Sequence, residues 1–340
     1  TEYHIENKNK PESEDKKASI LYKLKSLLAR YKLVKKAVVY FFNKIQSVKN
    51  DTYDLYWQPN FIPRDYVKSK KKVITVHDLS FLVQPNWHPS ERHKYMSKRI
   101  LKEIEQSDKI ITVSDYIKKE IINFSGCDPD KIVVIYNGID YNLFKIYTPR
   151  ELESFKKKYN LPDEFILFVG SIEPRKNLIR LMRAYKRYIE SVKKSYQLIL
   201  VGFKGWQNDE IMEMIRSLGE KVTYLGYLND QELAYIYNLA TIFIYPSLYE
   251  GFGIPPLEAM ACGTPVITSK VTSIPEVCGE AALYIDPYDE TDIQNKIELL
   301  STRADLRQDL IQKGLERSKL FTWEMSAQKH LELFEELLKE

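Results

Sequence analysis

The sequence reads as an α/β protein carrying two open parallel sheets one after the other, and three observations lead there. From Lys72 onward, short β-branched and nearly all-apolar runs alternate with amphipathic segments, as parallel strands covered on both faces require. The chain has 340 residues, enough for two domains at roughly 150 residues each. The alternation also restarts: a polar, helix-like stretch at Asn142–Leu161 precedes a fresh strand at Phe165.

Each element has its own signal. The strands expected in order are Val73–Val76, Lys109–Val113, Lys131–Tyr136, Phe165–Val169, Gln197–Val201, Val222–Leu225, Thr241–Tyr245 and Val266–Thr268. Helical periodicity lies between them at Ser90–Gln106, Asp115–Phe124, Leu178–Val192 and Gln231–Leu239. The domain limits that follow are 1–145, 146–322 and a C-terminal helix over 323–340 that packs back towards the first domain. No strand is expected before Val73. From Ile20 to Val48 apolar residues recur at three- and four-residue spacing with lysines on the other face, which predicts one or two basic amphipathic helices. Such a face is either an ordinary domain helix with solvated lysines or one that rests on anionic lipid.

Composition narrows the function classes. With 44% hydrophobic and 29% charged residues, 12 Gly and 15 Pro, collagen-like and disordered chains are excluded. The longest uncharged apolar run, Ala37 to Phe42, is far too short to span a bilayer. Cys127, Cys262 and Cys278 are few, odd in number and never in C-x-x-C spacing, so a reducing compartment is expected, with no disulfide framework and no structural metal. Thr1–Lys17 is a polar tail without the apolar core of a secretory signal. The start at Thr1 is read as a processed, trimmed or partial chain. Residues 1–150 hold 28 Lys/Arg against 18 Asp/Glu, a balance of +10 within a net charge of +4. That half calls for an anionic partner: nucleic acid, a lipid headgroup surface or a phosphorylated substrate. Nucleic acid is set aside, because the lysine helices lack the interleaved surface aromatics of a stacking platform.

Neither G-x-G-x-x-G after a strand nor G-x-x-x-x-G-K-[ST] occurs, which argues against a dinucleotide-binding dehydrogenase and a P-loop NTPase. A different anion device is legible at Tyr245–Val266, YPSLYEGFGIPPLEAMACGTPV. A strand gives way to a Gly-rich turn, and Pro255 and Pro256 open a short helix whose N-terminus attracts negative charge. Glu250 and Glu258 bracket that turn; a carboxylate accepting two hydrogen bonds suits vicinal sugar hydroxyls. In Phe168–Asn177, FVGSIEPRKN, a strand end places Arg175 and Lys176 beside a helix start, a planar fork and a point charge both suited to a diphosphate. In Ile74–Leu79, His77 and Asp78 follow a buried strand, at the edge where α/β folds keep their sites.

Over these segments the chain resembles the retaining glycosyltransferases of family 4, from about Asp51 to the C-terminus and most densely over Phe165–Pro287. The resemblance implies the GT-B fold, two Rossmann-like domains with parallel sheets facing across a cleft. Glu250 and Glu258 match the family's E-x7-E motif, so it implies Glu258 on the ribose hydroxyls of a nucleotide donor and Glu250 beside the transferred sugar. Phe252, Gly253 and Ile254 match the loop whose amides approach the sugar and its diphosphate. Lys176 matches the cation that stabilises the leaving phosphate. Where many members carry an Arg after Gly170, this chain has Ser171, and Arg175 is expected in that role. His77 matches the histidine set against the donor sugar. Asn137–Asp140 resembles the segment that ends the first domain. Gly202, Lys204 and Trp206 resemble the loop near the diphosphate, and the backbone of Leu228 the contact to the base. Ser273–Glu276 with Gly279–Ala282 is expected to be structural.

The function implied is metal-independent, retaining transfer of a hexose from a nucleotide-sugar to a polysaccharide or glycolipid hydroxyl. Glu250, Lys176 and His77 would act on the sugar and phosphate, without cofactor, metal or protein general base. The EPRKN and HDLSFL segments look most like mannosyltransferases of surface-polysaccharide assembly, which favours GDP-mannose over a UDP-hexose. The site implied is cytoplasmic, with peripheral contact to the inner face of the cell membrane through the basic N-terminal helices. The front departs from the family, whose members open with a strand and a Gly-rich loop absent here. Two alternatives stay open: another GT-B nucleotide-sugar enzyme such as an epimerase or hydrolase, and a non-catalytic, membrane-docked partner.

Overall fold

The computed structural model describes residues 52–61, 67–206 and 208–340. The polar tail and the basic amphipathic stretch from Ile20 to Val48 lie outside the described residues, and the membrane contact expected of them with it. Two compact units divide the chain, one of Thr1–Tyr56 with Arg64–Lys70 and one of Trp57–Pro63 with Lys71–Glu340. The side-chain contacts below fall within the second.

The first sheet has the order β1 (Thr52–Gln58), β2 (Lys68–Val76), β3 (Lys109–Thr112), β4 (Ile132–Val134). Ile74 pairs with Ile110 and Ile111 with Val133 in parallel register. Its crossovers are α1 (Ser80–Val83), a 3-10 turn at Pro85–Trp87, α2 (Ser90–Gln106) and α3 (Asp115–Ser125). The sequence reading places no strand before Val73, yet β1 exists and β2 starts at Lys68. The reason is solvation. β1 carries Asp54 and an exposed Tyr53, and four lysines occupy the first half of β2, which becomes fully buried only at Val73–Val76. Polar, half-exposed strand segments carry no apolar run to read.

The second sheet runs through β5 (Phe165–Val169), β6 (Gln197–Val201), β7 (Val222–Gly226), β8 (Ile242–Tyr245), β9 (Val266–Ser269) and β10 (Ala282–Ile285). Its spatial order is β10-β9-β8-β5-β6-β7, every pair parallel. All five residues of β5 are buried, so a truncation such as Leu167→Ala costs about 2–5 kcal/mol. β10, one of the two edge strands, is the second one the sequence reading lacks; its four-residue run ALYI is apolar and half buried. The helices of this half are α4 (Pro149–Lys158), α5 (Leu178–Ser191), α6 (Asp209–Ser217), α7 (Asp230–Leu239), α8 (Ile254–Ala261), α9 (Ile274–Cys278), α10 (Glu290–Thr302) and α11 (Ala304–Ser318). α7 starts with a capping box, the Asn229 side chain accepting from Glu232 N at 3.0 Å and Glu232 accepting from Asn229 N at 3.3 Å.

α12 (Trp323–Lys339) closes the chain, capped by Thr322, which accepts from Met325 N at 3.1 Å. Its His330 and Phe334 rings stand 5.0 and 5.4 Å from the Trp57 ring at the end of β1. Chain order reverses between β5 and β8, and parallel sheets bind ligands beyond the strand C-termini at such a switch point.

Candidate active site

Two segments leave the switch point, residues 170–177 after β5 and 246–253 after β8. The floor beneath them is backbone. A Cβ on Gly202, just past β6, would stand 2.0 Å from Gly170 O, so no side chain can intervene between those strand ends.

The first segment turns inward through a 3-10 turn at Pro174–Lys176. Asn177 sustains the bend with a positive φ of 59°, and its Nδ2 donates to Pro246 O at 3.1 Å and Pro287 O at 2.7 Å. Lys176 is thereby driven inside, 6% exposed. Its Nζ donates to Glu250 Oε1 at 2.7 Å and to the Tyr245 hydroxyl at 2.5 Å, over whose ring it also sits. The Arg175 guanidinium donates to Glu250 Oε2 at 2.8 Å, to Tyr249 O at 2.9 Å and to Glu173 Oε1 at 2.9 Å. Two cations and two carboxylates thus form one cluster, in which Lys176, Glu173 and Glu250 are buried and Arg175 is half-buried. Burial opposes ionisation of Glu250, but Arg175 and Lys176 outweigh it and hold the carboxyl at about 2. Lys176 is lowered from the ordinary lysine value, by burial first and the Arg175 charge second, against the pull of Glu250.

The second segment is fastened from below. Glu250 N donates to Thr272 Oγ1 at 3.1 Å, and Ser273 Oγ donates to Glu250 O at 2.8 Å and Phe252 O at 2.9 Å. Gly253 then caps α8, with Pro255 and Pro256 in its first turn. Glu258 lies further along α8 and shares no hydrogen-bond partner with Glu250. Its Oε2 accepts from the Tyr237 hydroxyl at 3.0 Å. Burial pushes its carboxyl up to about 7, and the Tyr237 bond only tempers the rise.

The first sheet closes on this loop. A Cβ on Gly251 would stand 1.9 Å from His77 O, and Gly251 O accepts from Ser114 Oγ at 2.7 Å. The His77 ring pairs through Nε2 with Pro59 O at 2.8 Å and meets Phe61 edge-on.

The structure therefore gathers Arg175, Lys176 and Glu250 into one cluster and seats the His77 backbone beside it, while Glu258 stands apart with Tyr237. Gly170, Ser171 and Ile254 border the same strand ends, half-buried; Lys204 is exposed beside them and Leu228 is buried. The Phe252 ring turns into the core between Tyr136 and Phe321, which leaves its backbone to face the turn. Glu173, Tyr245 and Tyr249 join the site without having been singled out from sequence. Glu173 had a signal, an acid two residues before Arg175; the tyrosines had none beyond apolar strand and loop character. Among the described residues no group of three or more His, Cys, Asp or Glu side chains could hold a metal ion, and no helix is long and apolar enough to cross a membrane.

Comparison with known proteins gives a consistent result. Residues 149–317 match the family described as glycosyl transferases group 1, and residues 27–143 match glycosyltransferase family 4. The chain is 36% identical to the O-antigen chain mannosyltransferase B of Escherichia coli over 327 residues, 94% of this chain and 83% of that protein. It is 35% identical to the serotype-specific mannosyltransferase WbdA of Escherichia coli over 82% of this chain, spanning only 35% of that longer protein. Sucrose-phosphate synthase from Thermosynechococcus elongatus superposes with a TM-score of 0.72 at 24% identity, over 87% of this chain and 76% of that one. The two parallel sheets are those of the GT-B fold. The chain belongs to the group 1 glycosyltransferases, joined to a family 4 N-terminal region, and is a glycosyltransferase.

Proposed function

We propose that this enzyme moves mannose with retention from GDP-mannose to a saccharide or lipid-linked saccharide of a surface polysaccharide. The observation that carries the reading is the placement of Lys176 and Arg175 on Glu250 at the switch point of the second sheet. The names of the Escherichia coli relatives support mannose as the sugar.

Glu258 takes the ribose hydroxyls, and the Leu228 backbone takes the base. The amides of Phe252, Gly253 and Ile254 at the start of α8 face the sugar and diphosphate, with Gly170, Ser171 and Lys204 along the opposite rim. An arriving diphosphate competes with Glu250 for Lys176 and Arg175. Once displaced, the Glu250 carboxylate is free to accept from sugar hydroxyls, with His77 on the other side. As the sugar–phosphate bond breaks, charge gathers on the diphosphate and on an oxocarbenium-like sugar; two preformed cations and a helix start meet the first. They supply what a divalent ion would, so the reaction runs without metal or other cofactor. The acceptor's proton leaves to the departing phosphate. The reaction takes place in the cytoplasm, with the basic N-terminal stretch meeting the inner face of the membrane.

The test is calorimetric titration with GDP, UDP, ADP and NAD, repeated on Glu258→Ala, followed by incubation with GDP-mannose and a mannose-terminated acceptor. Selective GDP binding weakened by the substitution, and an α-linked product in the presence of EDTA, are expected. Selective UDP binding would move the donor class; no binding of any would overturn the reading.

A further inference from the structure

Tyr249 stands one residue before Glu250 and is 2% exposed. Its hydroxyl donates to the Glu120 carboxylate and accepts from the Leu79 N–H at 3.1 Å. Each partner belongs to the first sheet's side of the protein. Leu79 lies two residues after His77, and Glu120, itself buried, lies midway along α3. That helix is anchored in turn. Its cap Ser114 donates to Gly251 O at 2.7 Å, and its first amides, Asp115 N and Tyr116 N, reach the Glu276 carboxylate at 2.7 and 3.1 Å. The Tyr249 carbonyl meanwhile accepts from Arg175 at 2.9 Å. One residue therefore joins the segments that carry His77, Glu250 and Arg175.

A buried carboxylate beside a buried hydroxyl is retained only when each satisfies the other. Burial raises the Glu120 carboxyl above its ordinary value, its bonds to Tyr249 and Tyr116 oppose that rise, and burial and the Glu120 charge raise the Tyr249 phenol far above its own. The proton therefore stays on the phenol, which donates, while its oxygen remains open to Leu79 N–H. Core packing alone would be met by phenylalanine.

We propose that Tyr249 and Glu120 are positioning residues for glycosyl transfer, setting the His77 segment in register with Glu250 across the cleft. The inference rests on the reading of those two as the groups that orient the transferred sugar. It separates the two halves of the donor. Neither Glu258 nor Leu228 bonds to Tyr249 or Glu120, so the nucleotide is held independently of the pair.

The experiment is Tyr249→Phe in the full chain, with kcat for transfer from GDP-mannose measured alongside Kd for GDP. A misplacement of the reacting groups costs about 100-fold in rate, so kcat is expected to fall by about that factor while Kd for GDP stays within about twofold. Glu120→Gln keeps an oxygen that accepts from the phenol and is expected to lose far less. The double variant Tyr249→Phe with Glu120→Ala is expected to lose no more than Tyr249→Phe alone, since each of those substitutions removes the same interaction. Retained kcat in Tyr249→Phe, or kcat, GDP affinity and Tm falling in parallel, would overturn the proposal. If Tyr249→Phe does not fold, Glu120→Ala carries the same expectation. A wild-type protein that binds none of GDP, UDP, ADP and NAD overturns the functional reading itself; one that binds and transfers while the variants match it overturns only the pair.

Discussion

Glu250 and Glu258 lie eight residues apart on the same strand–turn–helix segment, yet the fold leaves them in opposite electrostatic states. Both are largely withdrawn from water, which disfavours charge on either. Glu250 meets a guanidinium and an ammonium and is held ionised, at about 2. Glu258 meets one phenol and is pushed up to about 7. Burial alone does not assign a carboxylate its work; the partners that arrive from other strands do. Lys176 and Arg175 come from beyond β5, Tyr237 from α7. The first glutamate suits a task that needs fixed charge, the second one that needs a hydrogen-bonding group whose charge can change near neutrality.

The largest break in this comparison is Glu250→Gln. Losing the carboxylate that faces Lys176 and Arg175 is expected to lower transfer by at least about 1000-fold, while GDP binds as tightly as before or more tightly, because the two cations lose their internal competitor. Kinetics and calorimetry on one preparation check both halves. Next is Lys176→Met, which removes a charge-assisted contact of about 1.5–3 kcal/mol and is expected to weaken GDP binding about 10–100-fold.

A smaller effect sharpens the Glu258 side. On the proposed role at the ribose, the ionised carboxylate would accept both hydroxyls, so wild-type GDP affinity is expected to rise as pH increases through about 7, where its carboxyl titrates. Glu258→Gln is expected to flatten that profile, as titrations from pH 5.5 to 8.5 would reveal. The smallest effect is on stability. A carboxyl raised from an ordinary value of about 4.3 destabilises the fold progressively as pH rises from there through 7. Glu258→Gln is therefore expected to raise Tm by a few degrees at pH 8 and by clearly less at pH 5, relative to wild type. Glu250 has the reverse sign: its stabilisation is present above about 4.3 and is lost as pH falls towards 2.

Much of this was legible in one dimension. The parallel strands of the second sheet are apolar runs, and the prolines and glycines around Glu250 mark a helix start on sight. Lys176 and Arg175 could be picked out because a strand-end turn gives basic residues an anion to meet. Long-range pairing was not legible. Glu120 reads as a charge on an amphipathic helix, and only the fold brings it to Tyr249, 129 positions away. Glu276 reads as part of a structural run, yet it accepts the first amides of α3. β1 escaped because the exposed Tyr53 and Asp54 break its apolar run, whereas the short apolar run of β10, ALYI, was absorbed into the Gly279–Ala282 stretch read as structural.

The contact of Gly251 with the carbonyl of His77 carries a consequence for how this enzyme can diversify. With 1.9 Å between a would-be Cβ and that oxygen, every substitution at position 251 must prise the His77 segment from the loop bearing Glu250. Variation is thereby channelled elsewhere. A library randomised across residues 246–254 would return a single amino acid at 251, and a lineage changing its sugar would have to do so through neighbours whose side chains have room to differ.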